Sequence, residues 1–413
     1  MKENYEGFYK LTVPRFLRYA RFWTTSDRSN TDTPSTPGQW DLAKALTEEL
    51  RGLGIEVTLT DNCYVLARLP ASPGLEQLPS VGFLAHLDTS EEVSGKDVKP
   101  TLVDEYDGNP IDLGGGLKLD PAVDPDLAAH KGKALIHPGG DTLLGADDKA
   151  GIAIIVGAAE YLLAHPEIPR CPLELIFSPD EETGKGLPAL PINKIRSKIC
   201  YTLDGGPLGE LERECFNAWA AEVKFTGLSM HLGQARGSLV NAVLMASVYA
   251  AMLPRNESPE ATDAYYGYYC PLSIKGDIES ASLEVFVRDF DLKEGERKIA
   301  ALDSFARAVE AQFPGGKAVV NSRLQYLNMK EKIDAHPLVV EKLRRAFLNT
   351  AVEIREKPIR GGTDGSRLTE MGIPTPNIFT GGRNFHSRLE WLSVQEMIVS
   401  CRLVVELVRL WSE

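Results

Sequence analysis

"LELIFSPDEETGKG", residues 173–186, joins a short apolar run to three consecutive acids. The apolar part ends at a Ser-Pro pair and is typical of a strand that is covered on both faces of a sheet. Asp180, Glu181 and Glu182 follow directly. Like charges repel and their burial is costly, so three carboxylates at the end of a buried strand indicate a nearby positive charge, such as a bound cation.

Other segments repeat this strand pattern and alternate with helices. "SVGFLAHLDT" (80–89) predicts a strand that runs into polar residues, and "KICYTLDGG" (198–206) predicts another. "GIAIIVGAAEYLLAHP" (151–166) is too long for a strand and apolar nearly all round, which predicts a buried helix. "STPGQWDLAKALTEELRGLG" (35–54) predicts an amphipathic helix capped by Thr36. Alternating strands and helices favour a mixed, mainly parallel sheet with helices on both faces, an α/β fold.

The pattern changes at about residue 216. "NAWAAEVKFTG" and "SLEVFVRDFD" alternate as antiparallel strands do, and "ALDSFARAVEAQF" is an amphipathic helix. These segments predict an inserted α+β lid domain, with an antiparallel sheet and two helices in β-α-β-β-α-β order. The α/β pattern then resumes and closes with the helix "SVQEMIVSCRLVVELVRL". We therefore expect a catalytic domain in two parts, 1–215 and 330–413, around a lid at 216–329.

Composition narrows the class of protein. The 413 residues are 43% hydrophobic and 25% charged, and 58 acidic against 45 basic residues give a net charge of −13. This charge argues against a nucleic-acid or anionic-membrane partner, and no apolar run has the length of a membrane span. The six cysteines are scattered without a Cys-x-x-Cys pair. We expect a cytoplasmic protein without a cysteine-type zinc site.

Polar clusters follow the predicted strands and open the buried helix. They are His86 with Asp88, the acids 180–182, Asp204, His386, and Asp147 with Asp148 in "LLGADDKAG". In open α/β sheets the carboxyl ends of the strands line the ligand crevice. Imidazole mixed with carboxylate and without cysteine predicts a zinc site, with manganese or cobalt as alternative ions.

Each cluster taken singly has an ordinary structural explanation. The acids 147 and 148 suit the positive end of a helix, and the acids 180–182 suit a solvated turn. Asp204 before two glycines is common turn chemistry, and His386 suits a hydrogen-bonded core histidine. Their recurrence in strand–helix order favours the metal site.

Six motifs resemble one known family. They are "GFLAHLDTS", "TLLGADDKAGIA", "FSPDEETGKG", "YTLDGGPLGELE", "RGGTDGSRLTEMGIPTPNIFTGG" and "NFHSRLEW". Together they resemble the peptidase T family, the cytoplasmic tripeptide aminopeptidases among the two-zinc metallopeptidases and amidohydrolases that include carboxypeptidase G and aminoacylase. The resemblance runs almost end to end and includes the inserted domain. It implies removal of the N-terminal residue from tripeptides, and a homodimer through the lid domain is a further expectation.

The resemblance also implies a role for each site residue. The implied zinc ligands are His86, Asp147, Glu182, Asp204 and His386, with Asp147 bridging two ions. Asp88 orients His86, Glu181 is the general base, and His231 in the lid supplies a further donor to the reaction centre. Two departures concern loop shape: Leu232 follows His231 where proline is usual, and Ser387 follows His386 where glycine is common.

Three residues are candidates to bind the carboxylate of the substrate. A guanidinium fork suits a carboxylate, and this points to Arg288 in "VRDFD" and Arg360 in "PIRGGTDGS". Either arginine could equally pair with Asp289 or Asp364 nearby. Asn241 is a candidate hydrogen-bond partner of the same substrate end.

Other functions stay open at this stage. A dipeptidase, a carboxypeptidase or an N-acyl amino acid deacylase would use the same metal chemistry. The glycine-rich stretches "LGGGLKL", "RGGTDGS" and "FTGGRNF" suggest phosphate binding, but none matches a dinucleotide or Walker pattern. A metal-binding protein without catalysis would have no need for Glu181.

Overall fold

The computed structural model describes residues 2–413, with side chains from residue 5 onward. These residues form two compact units. Unit 1 comprises Met1–Arg213, Glu331–Lys357 and Thr363–Glu413, and unit 2 comprises Glu214–Lys330 and Pro358–Gly362. A short stretch of the predicted second catalytic segment therefore folds with unit 2.

The helices, in chain order, are α1 (Lys2–Tyr19), α2 (Gly38–Gly52), α3 (Pro125–Ala128), α4 (Ala146–Ala164), α5 (Ala242–Met252), α6 (Leu292–Gln312), α7 (Lys330–Asp334), α8 (Pro337–Asn349), α9 (Asp364–Glu370) and α10 (Val394–Trp411). The strands are β1 (Glu56–Leu59), β2 (Val65–Leu69), β3 (Val81–His86), β4 (Thr101–Val103), β5 (Ile111–Gly114), β6 (Leu117–Leu119), β7 (Leu135–His137), β8 (Leu173–Ser178), β9 (Ile199–Gly205), β10 (Glu210–Glu212), β11 (Asn217–Thr226), β12 (Tyr268–Gly276), β13 (Ser280–Asp289), β14 (Lys317–Tyr326), β15 (Arg355–Glu356), β16 (Asn377–Phe379), β17 (Gly382–Arg383) and β18 (Trp391–Ser393). Short 3-10 helices lie at Leu187–Ala189, Ile192–Lys194, Leu232–Gln234 and Arg255–Glu257.

Unit 1 is built on an eight-stranded sheet with the order β1-β2-β8-β3-β9-β16-β10-β15. The central strands β8, β3, β9 and β16 are parallel, whereas β1, β2 and β10 join by antiparallel pairing. In register, His86 at the end of β3 lies beside Ser178 at the end of β8. The carboxyl ends of these strands therefore meet at one edge, as a ligand crevice requires.

Helices cover both faces of this sheet. Val81, Phe83 and Ala85 of β3 pack into a large core that includes α1, α2, α4, α8 and α10. Leu84, between them, packs into a smaller core with α9 and Leu187. This alternation follows from the two-residue period of a strand. The predicted α/β class with a mixed, mainly parallel sheet and helices on both faces is confirmed.

Unit 2 contains a four-stranded antiparallel sheet with the order β12-β13-β11-β14. Its chain order, β11-α5-β12-β13-α6-β14, is the predicted β-α-β-β-α-β arrangement. Its core is formed by alternate strand residues and by α5 and α6. The inserted antiparallel sheet with two helices is confirmed.

Some local features differ from the sequence predictions. The helix expected over 35–54 begins at Gly38 with Pro37 at its N-cap position, so the predicted cap by Thr36 is wrong. The Thr36 hydroxyl instead accepts a hydrogen bond from Gln39 Nε2 at 3.2 Å. The helix α1 and a second sheet of unit 1, with the order β17-β18-β7-β4, were not predicted. Within the part of the chain that the structure describes, none of the helices combines the length and the apolar character needed to cross a membrane.

Candidate metal centre

The predicted metal ligands come together at the carboxyl edge of the sheet of unit 1. His86 ends β3 and Asp204 lies near the end of β9. Glu182 follows β8, His386 follows β17, and Asp147 lies in the non-helical first turn of α4. The parallel pairing of the central strands brings these distant parts of the chain to one place.

Asp147 lies between the two histidines. Its Oδ1 is 2.8 Å from His86 Nε2, and its Oδ2 is 3.1 Å from His386 Nε2. Asp204 Oδ1 lies 3.7 Å from His86 Nε2, and Glu182 Oε2 lies 3.0 Å from His386 Nε2. The carboxylate of Asp147 thus contacts both histidines. His86, Asp147 and Glu182 offer ligand atoms within 4.8 Å of one another, and so do His86, Asp148 and Asp204.

The electrostatics of this cluster call for positive charge. Burial, reinforced by the charge of Asp147, raises the pKa of Glu182 to about 8 and that of Asp204 to about 6. Burial alone would lower the pKa of His386, but hydrogen bonds to Asp147 and Glu182 outweigh it and raise that pKa to about 11. The buried Glu182 Oε1 has no hydrogen-bond partner among the described residues. An unpartnered carboxylate oxygen among imidazoles and carboxylates fits divalent cations.

Asp88 holds the turn that carries the two glutamates. Its carboxylate accepts hydrogen bonds from Glu181 N at 2.9 Å and Glu182 N at 3.2 Å. The Nδ1 of His86 lies 3.0 Å from the backbone oxygen of Asp88 and 3.4 Å from its Oδ1. Asp88 therefore contacts the His86 ring, as its predicted role requires, and it also fixes the backbone of the acidic turn.

The side chain of Glu181, the predicted base, lies among acids. Burial and the nearby charges of Asp204 and Asp364 raise its pKa well above the ordinary value. A carboxylate whose pKa is raised holds a proton more readily, which suits a group that takes one up during a reaction.

Two buried acids that sequence reasoning did not assign support the centre. Glu390 accepts hydrogen bonds from Leu144 N at 2.7 Å, Gly145 N at 2.9 Å and Asp147 N at 3.1 Å, so it fixes the backbone of the shared ligand. Asp148 accepts from His86 N at 3.1 Å. Glu390 stands four residues after His386 and within the motif "NFHSRLEW", and this position is the kind of signal that could have drawn attention to it.

Glu396 of α10 holds the segment that leads to His386. It accepts a hydrogen bond from Arg383 Nη1 at 2.6 Å and one from Leu208 N at 2.9 Å, and His130 Nε2 lies 3.1 Å away. Burial alone would raise the pKa of Glu396, but the contacts with His130 and Arg383 outweigh it and lower that pKa to about 2.

This pKa predicts how stability depends on pH. The folded carboxyl has a lower pKa than the ordinary 4.5, so its contribution is complete above pH 4.5 and is lost as the pH falls towards 2. The difference corresponds to about 3 kcal/mol of unfolding free energy. Urea unfolding between pH 7 and pH 2.5 should show this loss, and Glu396→Gln should remove most of it. The matched change Glu341→Gln, at an exposed position of α8, should leave the pH dependence as in the wild type.

The predicted substrate-binding residues lie in unit 2, where each has local contacts. Asn241 caps α5, accepting from Val243 N at 3.0 Å and Leu244 N at 3.2 Å. His231 is exposed at the start of the 3-10 helix Leu232–Gln234. Asn241 therefore has a structural role as a helix cap, whereas the side chain of His231 is accessible.

The two arginines are engaged within unit 2. Arg288 is 7% exposed, and its Nη1 donates to the carbonyl oxygens of Trp219 and Val287 at 3.0 Å each. Arg360 donates to the carbonyl oxygens of Ala264, Tyr266 and Thr262 and to the hydroxyl of Thr262 at 2.9–3.1 Å. Arg288 bonds to backbone carbonyls and not to Asp289, so the ion pair with Asp289 that was its alternative explanation is not formed. The role of the two arginines as a carboxylate clamp stays a prediction.

Comparison with known proteins gives consistent relatives. The sequence pattern of peptidase family M20/M25/M40 matches residues 141–410. A protein named Peptidase T from Geobacillus sp. (strain WCH70) is 45% identical over 404 residues, covering 97% of this chain and 98% of its own. The crystal structure of aminopeptidase PepT from Bacillus cereus ATCC 10987 is similar with a TM-score of 0.75 at 22% identity, covering 98% of this chain and 99% of its own. A dinuclear metal-binding peptidase of the M20 family from Bacillus subtilis is similar with a TM-score of 0.66 at 13% identity, covering 98% of each chain.

Proposed function

The chain belongs to peptidase family M20/M25/M40, and from this membership and the geometry of unit 1 we propose that it is a tripeptide aminopeptidase with two zinc ions. As a member of this family it is a metal-dependent exopeptidase. The observation that carries the proposal is the position of Asp147, whose two carboxylate oxygens face His86 and His386 separately. The name Peptidase T of a relative at 45% identity over nearly the full length supports tripeptides as the substrate class.

The donors divide between the two proposed ions. His86 and Asp204 would hold one ion, Glu182 and His386 the other, and Asp147 both. When bound, the ions polarise the scissile carbonyl and lower the pKa of the attacking water to roughly 7. The fit rests on the donor set and on the unpartnered Oε1 of Glu182.

Glu181 performs the proton transfers in this proposal. It takes the proton of the attacking water, and its raised pKa favours that uptake. It then passes the proton to the departing nitrogen, so that the dipeptide product leaves with a neutral amino group. Asp88 keeps Glu181 in place through the backbone hydrogen bond to its N–H.

The remaining proposed roles belong to residues of unit 2 and rest on the family membership. His231 would donate to the developing oxyanion, a role that its exposure allows. Asn241, Arg288 and Arg360 would bind the carboxylate end of the tripeptide. For the arginines, this requires donors beyond those bonded to backbone carbonyls, and a guanidinium has five.

The test combines metal analysis with a substrate series. Purified protein should contain two divalent ions per chain by elemental analysis and should hydrolyse Ala-Ala-Ala far faster than Ala-Ala or N-acetylalanine. Chelation followed by gel filtration should abolish hydrolysis, and added Zn²⁺ should restore it, whereas Mg²⁺ at the same concentration should not. Preferred hydrolysis of Ala-Ala would establish a dipeptidase instead, and preferred hydrolysis of N-acetylalanine a deacylase. Release of the C-terminal residue from Ala-Ala-Ala would identify a carboxypeptidase.

Association through unit 2 and a cytoplasmic location complete the proposal. Leu228, Met230 and Leu232, on either side of His231, are exposed at 50%, 38% and 72%. Such an apolar surface favours contact with a second copy of the chain. Sedimentation equilibrium should therefore give a homodimer, and replacing Leu232 by serine should shift the equilibrium towards the monomer. Five of the cysteines, namely Cys63, Cys171, Cys200, Cys270 and Cys401, carry free thiols, which supports a reducing compartment.

A further inference from the structure

Residues 22–39, here called the strap, run along the loops that carry the metal donors, all within unit 1. At its start the carbonyl of Phe22 accepts a hydrogen bond at 2.8 Å from the ammonium group of Lys149, which is 1% exposed. Further on, the carbonyl of Thr24 accepts from Thr89 N at 3.2 Å, and Ser26 N donates to the carbonyl of Thr89 at 3.0 Å. The strap is therefore bonded to the first turn of α4 and to the loop that follows His86 and Asp88.

The end of the strap encloses the carboxylate of Asp180, which is fully buried. Ser35 donates to it twice, from its backbone N at 2.7 Å and from its hydroxyl at 2.5 Å. Gln39 contributes its Nε2, 2.7 Å from Asp180 Oδ1, and its Oε1 accepts from Asp180 N at 3.1 Å. The side-chain amide of Gln39 therefore both donates a hydrogen bond to Asp180 and accepts one from it.

Asp180 needs such support because of its backbone conformation. Its φ of +56° is in the left-handed region, which residues other than glycine adopt only occasionally. Strain of this kind persists only where surrounding contacts enforce it. The next two residues are Glu181 and Glu182, whose N–H groups donate to the carboxylate of Asp88. The acidic turn is therefore clamped by both Asp88 and the strap.

A second contact ties the strap to the far end of the same turn. Lys185 Nζ donates to the carbonyls of Arg28 at 2.7 Å and Asn30 at 2.5 Å. The strap lies outside residues 141–410, which the family pattern matches. None of the strap side chains is among the metal donors, so the pattern of ligands does not explain why they converge on Asp180.

We propose that Asp180, held by Ser35 and Gln39, is the positioning residue that sets the orientation of Glu181 and Glu182. This inference rests on the proposed function, because the orientation of Glu181 and Glu182 matters for rate only if they take part in peptide hydrolysis. A displacement of about 1 Å at a reacting group can cost on the order of 10²-fold in rate. Loss of the clamp should therefore lower kcat more than it alters KM.

The decisive comparison uses two nearly isosteric changes at Gln39. Gln39→Glu keeps the size of the side chain and the acceptor for Asp180 N, but it replaces the donor to Asp180 Oδ1 by a second carboxylate. Gln39→Met keeps the size and removes both bonds without adding charge. If Gln39 only fills space, both variants should retain the wild-type kcat. If it positions Asp180, kcat on Ala-Ala-Ala should fall about 10-fold in Gln39→Met and more in Gln39→Glu, with KM within about twofold.

Ser35 provides variants that are less disruptive. Ser35→Ala removes the hydroxyl donor and should lower kcat about 10-fold, whereas Ser35→Thr keeps a hydroxyl and should restore much of the rate. Ser29→Ala is the matched control, since Ser29 is an exposed strap residue whose hydroxyl bonds to Asp27 and not to the turn. It should behave as the wild type.

Zn²⁺ titration of the chelated proteins by calorimetry gives a readout that does not depend on turnover. Ser35→Ala should still bind two ions, with the weaker step about 10-fold weaker than in the wild type, because Glu182 shares the turn. The inference is overturned if kcat and both affinities match the wild type, or if thermal unfolding is the only property that changes. A wild-type protein that binds two ions but does not cleave tripeptides would refute the proposed function, and the Zn²⁺ affinities would still decide the role of the strap.

Discussion

Glu181→Ala should lower kcat for Ala-Ala-Ala by about 10³-fold while leaving two metal ions bound. A positioned general base contributes roughly 10²–10⁴-fold to a rate, and no other carboxylate of the turn is free to replace this one. Glu182 lies 3.0 Å from His386, and Asp180 is enclosed by Ser35 and Gln39. Steady-state kinetics and elemental analysis of the same preparation measure both effects.

The design separates a base from a ligand. Glu181→Gln keeps the size of the side chain and should be as slow as the alanine variant, because an amide does not take up the proton. Glu341→Ala, at an exposed position of α8, is the matched control and should retain full activity. Loss of a metal ion from Glu181→Ala would show that the roles of Glu181 and Glu182 are exchanged.

Asp147→Asn should abolish activity through the metals themselves. Its two carboxylate oxygens lie 2.8 Å from His86 Nε2 and 3.1 Å from His386 Nε2, and an asparagine would present only one oxygen. One ion site loses its donor and the other keeps only a neutral amide oxygen, so bound metal after dialysis should fall well below two per chain and kcat by more than about 10³-fold. Metal content, measured before and after added Zn²⁺, checks the first effect.

Asp204→Asn is the internal comparison for this result. Asp204 lies 3.7 Å from His86 Nε2 and belongs to one donor group, so its variant should lose about one ion and keep the other. Equal metal loss in the two variants would show that Asp147 is not shared.

A third variant, Glu390→Gln, should weaken metal binding less than Asp147→Asn, because Glu390 contacts only the backbone around Asp147.

Sequence patterns predicted a large part of the fold. The apolar runs ending at His86, at the 180–182 acids and at Asp204 predicted parallel strands, and they are β3, β8 and β9 of the central sheet. Short strands were harder to predict. β4 has three residues and β17 has two, which is too few for a periodic pattern to stand out.

The supporting contacts of the centre were not predictable in the same way. Glu390 binds the backbone of Asp147 across 243 residues of chain, and Ser35 binds Asp180 across 145. Each is one polar residue among many in the sequence, and no spacing rule relates it to its partner. The local contacts of Arg288 and Arg360 with backbone carbonyls were hidden for the same reason.

The amino-acid sequence by itself determined which residue types stand at the ends of buried strands, and hence the class of fold and the kind of ion they suit. Periodicity and donor chemistry are properties of neighbouring residues, so they can be recognised without coordinates. Only the tertiary structure decided which oxygen of Asp147 faces which histidine, and that the strap and Asp88 both bond to the turn that carries Glu181. Such relations depend on side chains that are distant in the chain and meet only when the central sheet aligns its strand ends.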